Sequence, residues 1–140
     1  MDDFTELFSL LATCRLALRR NGNAALNQGR TRGLSIDDII LIEAIDPAEG
    51  IQVQALAQRT NRDVTLVSRQ VSSLCAQGWL VKRRGKTDGR SRRIALTDRA
   101  ANALDEAKSQ AARVYEGMTS QLSPIEKKEL CRMLRTIINA

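Results

Sequence analysis

The feature that most constrains the fold is the order of segments between residues 53 and 97. Apolar residues recur there at spacings of three and four, which predicts a short helix at 53–59 and, after a polar turn, a longer helix from 63 to about 77. Gly78 is suited to end the longer helix, because glycine accepts the left-handed conformation that commonly follows a helix. Two short stretches at 80–84 and 92–96 then flank a turn-rich segment and predict a β-hairpin.

Helix, turn, longer helix and hairpin, in that order, are the build of a winged helix-turn-helix. One stripe of the longer helix is apolar and is expected to pack inward; it comprises Val64, Val67, Val71 and Leu74. The opposite face is polar and comprises Thr65, Ser68, Arg69 and Ser72. Short hydroxyl side chains permit close approach to phosphates and base edges, and an arginine can reach guanine or phosphate. Any amphipathic helix has a polar face, however, so the hypothesis of a nucleic-acid contact depends on the residues around it.

Those surroundings are strongly basic. The formal net charge of the chain is +6, yet residues 59–99 contain eleven Arg or Lys against three Asp, a local balance of +8. Seven of these cations belong to the hairpin, namely Lys82, Arg83, Arg84, Lys86, Arg90, Arg92 and Arg93. Repulsion of that size is unfavourable unless a polyanion relieves it, and arginines at a hairpin tip suit a narrow minor groove. Double-stranded DNA is the expected partner; the alternative is a winged-helix interaction module that binds RNA or a protein.

The rest of the chain predicts further helices. The first is expected from residue 4 to about 20, with a possible interruption at Asn21-Gly22-Asn23. Ser35 is the expected N-cap of a second helix, whose inward residues would be Ile36, Ile39, Ile40 and Ile42. A long helix is expected from Thr97 to about 119, and a capping box with proline predicts a last helix that starts at Ser123.

These segments predict a mainly α fold with a small β-hairpin. We expect an N-terminal dimerisation helix and linker at 1–33, a winged helix-turn-helix DNA-binding lobe at 34–97, and C-terminal dimerisation helices at 98–140. The apolar repeats of the first and last helices are too extensive for one small lobe to bury. The first and last helices are therefore expected to form the interface of a homodimer.

The sequence has no pattern typical of an enzyme or a metal site. Histidine is absent, and the three cysteines Cys14, Cys75 and Cys131 are widely spaced. Without paired carboxylates or a Ser/His/Asp set, we expect no catalytic residue, no metal and no cofactor. No stretch approaches the roughly 18 uninterrupted apolar residues of a membrane span, and the first residues are acidic where a secretory signal would be basic. We expect a cytoplasmic protein that does not contact a membrane.

Several motifs resemble those of the MarR family of bacterial regulators. The similarity lies in Val67-Ser68-Arg69, in residues 74–81, in Asp88-Gly89-Arg90 with the arginines that follow, and in residues 94–100. It is strong from about residue 51 to 104 and topological elsewhere. Trp79 stands where an aliphatic residue or a tyrosine is more familiar in that family, and we interpret it as a core residue.

The resemblance implies a homodimer whose two recognition helices occupy successive major grooves, with wing arginines at the flanking minor grooves. In the wing it places DNA contacts at Lys86, Asp88, Arg90 and Arg92, and Asp88 is spaced to hold the Arg90 guanidinium by a bidentate contact. It also implies a repressor that is released by a small molecule bound between the DNA-binding lobe and the dimer helices, with ligand-binding residues unassigned.

Cys14 is the candidate redox residue, because some peroxide sensors of the MarR family carry a reactive cysteine in the first helix. Those sensors use tyrosines to activate the thiolate, and the one tyrosine of this chain, Tyr115, is far along the sequence. The adjacent Arg15 and Arg19, one turn away, favour a thiolate to some extent. We favour an inert Cys14, and we interpret Cys75 and Cys131 as packing groups.

Overall fold

The computed structural model describes residues 2–84 and 92–140. It is mainly α-helical with one two-stranded antiparallel sheet, which confirms the predicted fold class. The helices are α1 (Asp3–Leu26), α2 (Ile36–Glu43), α3 (Val53–Arg59), α4 (Val64–Ala76), α5 (Asp98–Met118) and α6 (Pro124–Ile138). The strands are β1 (Leu80–Arg84) and β2 (Arg92–Leu96), and a single 3-10 turn at Gly29–Thr31 follows α1.

Side-chain caps mark where five of the helices begin, and at α1 the cap is Asp2, which accepts the N–H of Thr5 at 2.8 Å. Ser35 and Asp38 form a reciprocal capping box at the start of α2, and Ser123 and Glu126 form another at the start of α6. The Thr97 side chain accepts a hydrogen bond from an N–H of the first turn of α5. Asp63 does the same for α4. These side chains satisfy backbone donors that have no partner inside a helix.

The hairpin is joined to the helical body by a third extended segment. Leu80 pairs with Leu96 and Arg84 with Arg92 along the ladder. Outside it, the N–H of Ile51 donates to the carbonyl of Ile94 at 3.0 Å, and the N–H of Ile94 donates back at 2.7 Å. Gly50 precedes this bridge with a φ of +70°, and a Cβ there would lie 2.7 Å from the Ile94 carbonyl oxygen. Only glycine lets the two backbones approach so closely.

The turn before this bridge is stabilised by a carboxylate. Asp46 accepts hydrogen bonds from the N–H groups of Ala48 at 2.8 Å and Glu49 at 2.9 Å. These two backbone bonds, to Glu49 and then Ala48, lower the pKa of Asp46 from its ordinary value of 3.8, because they favour the charged form. The turn follows the end of α2 at the position that the Asp46-Pro47 pair predicted.

One core joins α2, α3, α4, the hairpin and the first half of α5. The largest side chains that are fully buried in it are Trp79, Leu26, Leu41, Ile42, Leu56, Leu74, Ile94, Val67 and Val71. Trp79 is 1% exposed, and the guanidinium of Arg99 lies 3.7 Å from the centre of its ring. The interpretation of Trp79 as a core residue is confirmed.

Helix α1 continues where the sequence predicted a possible interruption. It passes through Asn21-Gly22-Asn23 and ends at Leu26. Gly22 is buried, and a Cβ at this position would lie 3.1 Å from Cγ1 of Ile36. The side chain of Asn23 accepts the N–H of Ile36 at 2.7 Å. Both residues are therefore explained by contact between α1 and α2, and the prediction of a break there was wrong.

Two residues that were expected to face inward are half exposed. Ile40 is 48% exposed because it faces an open cleft between α2 and α5. Val64 is 44% exposed because it occupies the first position of α4, beside an open cleft that Ala57 and Gln58 also line. The other members of the predicted α4 stripe are buried.

The outer helices leave large apolar faces uncovered by their own chain. Phe4 is 75% exposed and Ile125 is 80% exposed. Helix α6 has no buried residue, and the buried residues of α1 are Gly22 and Leu26, near its end. Across the ranges 2–84 and 92–140, no helix is long and apolar enough to span a membrane.

Candidate nucleic-acid interface

The polar face of α4 is exposed as predicted. Val67, Val71 and Leu74 anchor the opposite side in the core. Since residues three and four apart share a helix face, the structure brings the four predicted DNA-contacting side chains together on one exposed surface, formed by Thr65, Ser68, Arg69 and Ser72. Three hydroxyls and one guanidinium on a rigid helix form a surface that can enter a groove and donate to base edges or phosphates.

The hairpin places arginines directly opposite one another. Arg83 pairs across the ladder with Arg93, and Arg84 pairs with Arg92. Like charges at directly opposed positions destabilise a sheet unless other groups offset them, and here the Arg83 guanidinium donates to the carbonyl of Ala48 at 3.5 Å. The Arg93 guanidinium donates to the carbonyl of Gly50 at 3.4 Å, while Arg92 is exposed. The remaining predicted wing residues, Lys86, Asp88 and Arg90, lie outside the described residues.

Sequence reasoning missed a half-buried polar side chain on α4. Gln70 lies next to Arg69 and uses both ends of its amide. Its Nε2 donates to Oδ1 of Asp38 at 2.9 Å, and its Oε1 accepts from Nη1 of Arg62 at 2.8 Å. A polar residue at the border of an apolar stripe was the only signal in the sequence, and its partner Asp38 lies 32 residues away.

All three cysteines are free thiols. Cys14 is exposed on α1, Cys131 is exposed on α6, and Cys75 is partly buried against the core. The two arginines expected near Cys14 lie instead at 3.9 Å (Arg15) and 3.4 Å (Arg19) from carboxylate oxygens of Asp37. In the part of the chain that the structure describes, no cluster of three or more His, Cys, Asp or Glu could hold a metal ion.

A cleft of about 410 Å³ separates α2 from α5. Apolar side chains form most of its lining, and Lys108 and Glu43 also line it and pair at 3.2 Å. The lining residues are Ile36, Ile39, Ile40, Glu43, Lys108, Ala111, Ala112 and Tyr115. A largely apolar cleft with a few polar groups has the chemistry of a small-molecule site.

The chain is similar to known transcriptional regulators. Residues 32–91 match the sequence model of the MarR family. The uncharacterized HTH-type transcriptional regulator YdgJ of Bacillus subtilis (strain 168) is 25% identical over 107 residues, which cover 76% of this chain and 65% of that protein. The chain thus spans just under two thirds of the length of YdgJ.

Solved structures share the fold over nearly the whole chain. The PcaV transcriptional regulator from Streptomyces coelicolor, solved in complex with its natural ligand, has a TM-score of 0.85 at 20% identity and covers 100% of this chain and 96% of its own. The transcriptional repressor CouR, bound to a 23-mer DNA duplex, has a TM-score of 0.81 at 22% identity, with coverage of 99% and 96%.

A helix-turn-helix followed by a two-stranded hairpin and attached to long helices defines a winged helix-turn-helix protein. The sequence match runs from residue 32 to residue 91 and so includes α2, α3, α4 and β1, and the structural match extends to α1, β2, α5 and α6. Over residues 32–91 the chain is similar to the MarR family of transcriptional regulators. These relatives are transcriptional regulators.

Proposed function

We propose that the chain is a sequence-specific DNA-binding repressor that acts in the cytoplasm as a homodimer on a pseudopalindromic operator. The observation that carries this proposal is the pairing of Arg83 with Arg93 and of Arg84 with Arg92 across the hairpin. Opposed cations in a two-stranded sheet are stabilised when phosphates lie between or beside them. CouR, which shares the fold, was solved on a DNA duplex, and that supports the same class of partner.

The two DNA-contacting elements have different roles in this proposal. Helix α4 enters the major groove, where Thr65, Ser68 and Ser72 allow close approach and Arg69 reads a base edge. The wing lies at the minor groove, where Lys86, Arg90 and Arg92 supply positive charge and Asp88 aims Arg90. Contacts of the first kind give sequence discrimination, and contacts of the second kind give affinity that depends on salt.

The homodimer is supported by the exposed apolar faces of α1 and α6. A fifteen-residue helix without a buried residue gains little from packing on its own chain, and a second copy offers a matching apolar face. Sedimentation at micromolar concentration should give one species near twice 15.5 kDa. A folded monomer that binds the operator would overturn this part of the proposal.

The effector is proposed to bind in the cleft between α2 and α5. The apolar lining suits a small apolar compound, and Lys108 or Glu43 can contact a polar group on it. Because α2 belongs to the DNA-binding lobe and α5 connects that lobe to the last helix, a ligand there can change how the two are arranged. PcaV, which shares the fold, was solved with its natural ligand.

One titration tests the DNA-binding roles. Wild type, Arg69→Ala, Arg90→Ala and the control Arg135→Ala, which removes a cation from α6, are titrated with an operator and a shuffled duplex over a range of salt concentrations. Arg69→Ala should lose about 1–3 kcal/mol at the operator and discriminate less at one symmetric pair of positions. Arg90→Ala should weaken binding to both duplexes and reduce the salt slope by about one unit.

The same titration separates the proposal from its alternative. Wild-type binding that is equal on operator and shuffled DNA, or tighter on RNA of the same sequence, would favour an interaction module over a sequence-specific repressor. Wild-type affinity and salt dependence in Arg90→Ala would refute the role of the wing.

A further inference from the structure

A chain of hydrogen bonds fixes α4 to two other parts of the protein. Gln70 donates through Nε2 to Asp38 on α2 at 2.9 Å and accepts through Oε1 from Arg62, in the turn before α4, at 2.8 Å. A carboxylate can only accept and a guanidinium can only donate, so the two partners determine which way the amide points. All three residues are partly buried, which limits competition from water.

Asp38 is itself held in place by the start of α2. Its second oxygen, Oδ2, accepts the N–H of Ser35 at 2.9 Å, and its own N–H donates to Oγ of Ser35 at 3.0 Å. The next N–H, that of Ile36, donates to the side chain of Asn23 on α1 at 2.7 Å. Gln70 therefore bonds to a carboxylate that is fixed on the first turn of α2, which in turn is bonded to α1.

These directional bonds fix the rotation of α4 about its own axis, which the apolar stripe of the helix does not. Packing of Val67, Val71 and Leu74 against the core is non-directional, and a small rotation of the helix changes it little. With side chains about 5–6 Å from the helix axis, a rotation of about 20° moves their outer atoms by about 2 Å. A shift of that size breaks a hydrogen bond at Gln70 and displaces Arg69 from a base edge by the same amount.

We propose that Gln70 is a positioning residue for DNA recognition, which sets the rotation of α4 through Asp38 and Arg62 so that Arg69 meets the groove at one angle. This inference rests on the proposed function. Since positioning acts on contacts to base edges and leaves the cations in place, losing it lowers discrimination between DNA sequences while general affinity for DNA is kept.

The test compares Gln70→Leu with Gln77→Leu. Gln70 lies in the middle of α4 and Gln77 is its C-cap, and both substitutions replace a glutamine with a residue of similar size. Among the described residues, however, the Gln77 side chain bonds to Ser73 of α4 and to no second element. Arg62 is not varied, because removing its charge near DNA would itself change affinity.

Each variant is titrated with an operator and a shuffled duplex. Gln70→Leu should reduce the ratio of the two affinities by about tenfold, within the range of one mismatched base pair, and leave binding to the shuffled duplex unchanged. Gln77→Leu should match wild type on both. A merely structural role for Gln70 would lower both affinities together, or lower only the unfolding midpoint, and either result would overturn the proposal.

Asp38→Ala removes the acceptor of the same bond, so the proposal stays testable if Gln70→Leu does not fold. It should also lower the affinity ratio, and the double variant should be no worse than the more severe single variant, because both remove one connection. If the losses in the affinity ratio multiply in the double variant, as they would for independent sites, the proposed connection between Gln70 and Asp38 is refuted. If wild type itself does not distinguish the duplexes, the proposed function fails; if wild type distinguishes them and Gln70→Leu does so equally, only this inference fails.

Discussion

Asp63 has two opposed effects on the proposed DNA-binding surface at the start of α4: it caps the helix, and it adds a negative charge. A pair of variants can separate the two effects. Its Oδ1 accepts hydrogen bonds from the N–H groups of Thr65 at 2.8 Å and Leu66 at 3.2 Å. These bonds hold the first turn, on which Thr65 lies. The same carboxylate is also a negative charge close to the surface that we propose for DNA phosphates.

The structure permits an estimate for each task. Asp63→Ala loses the cap, at a typical cost of about 1 kcal/mol, and the favourable charge at the helix N-terminus, worth about 0.3–1 kcal/mol at an exposed site. Asp63→Asn loses only the second contribution, because asparagine caps as well as aspartate. We expect a free energy of unfolding lower by about 1–2 kcal/mol for the alanine variant, which is a drop of roughly 3–8 °C in the unfolding midpoint.

DNA binding should separate the two variants in a different way. Both remove one negative charge, so both gain the same salt-dependent attraction to phosphates. Only Asp63→Ala frays the turn that positions Thr65, and a loss of about 1 kcal/mol corresponds to about fivefold in affinity. Asp63→Asn should bind at least as tightly as wild type, and Asp63→Ala about fivefold more weakly than Asp63→Asn.

The assay uses the single tryptophan of the chain. Trp79 is 1% exposed, so its fluorescence reports unfolding, which is followed at one fixed protein concentration because of the proposed dimer. Operator affinity is measured in parallel at two salt concentrations. Equal stability and equal operator affinity for the two variants would refute the assignment of Asp63 as a functional cap.

Three further outcomes are expected. Gly22→Ala should lower stability by about 1–2 kcal/mol in thermal unfolding, since the new methyl group would press on Ile36. Gly117→Ala should raise stability by about 0.5–1 kcal/mol, because among the described residues the added Cβ meets nothing within 4 Å beyond its chain neighbours and its own helix backbone. Equal shifts would contradict the close approach of α1 and α2. The lowered pKa of Asp46 means that its contribution to stability is complete above its ordinary pKa and is lost as pH falls through the lowered one. Asp46→Asn should therefore make the stability of the protein less dependent on pH in acid solution below that ordinary pKa, and an unchanged acid profile would count against the two backbone bonds. Cys14→Ser should leave DNA release by organic peroxides as it is in wild type, and loss of a peroxide response in that variant would establish the redox role.

The parts of the fold that could be predicted are those that neighbouring residues determine. Ser35 and Ser123 each stand three positions before a capping carboxylate, so the starts of α2 and α6 are visible in a short stretch of sequence. Gly22 is the opposite case. In a helix it costs about 1 kcal/mol relative to alanine, and the reason for it is Ile36 on another helix, which no local pattern reveals.

The candidate site likewise has one part that the local sequence predicts and one part that depends on distant residues. The polar face around Arg69 follows from the period of an α-helix, because the positions opposite a buried stripe must face outward. The role of Gln70 does not follow, since its partner Asp38 is distant in the chain and the contact depends on how α2 packs beside α4. The spacing of residues thus predicted which side chains lie on the surface, and tertiary packing determines how that surface is held.

The exposed state of α6 has a consequence for the lifetime of the protein. If the proposed dimer is correct, a newly made or dissociated protomer presents a fifteen-residue helix with no buried side chain, and such a segment unfolds locally at little cost in free energy. Proteases cleave segments that open in this way, so unpaired copies should be degraded faster than paired ones. The rate of degradation would then depend on the concentration of the protein itself. Below a threshold concentration, single subunits would be degraded before they pair.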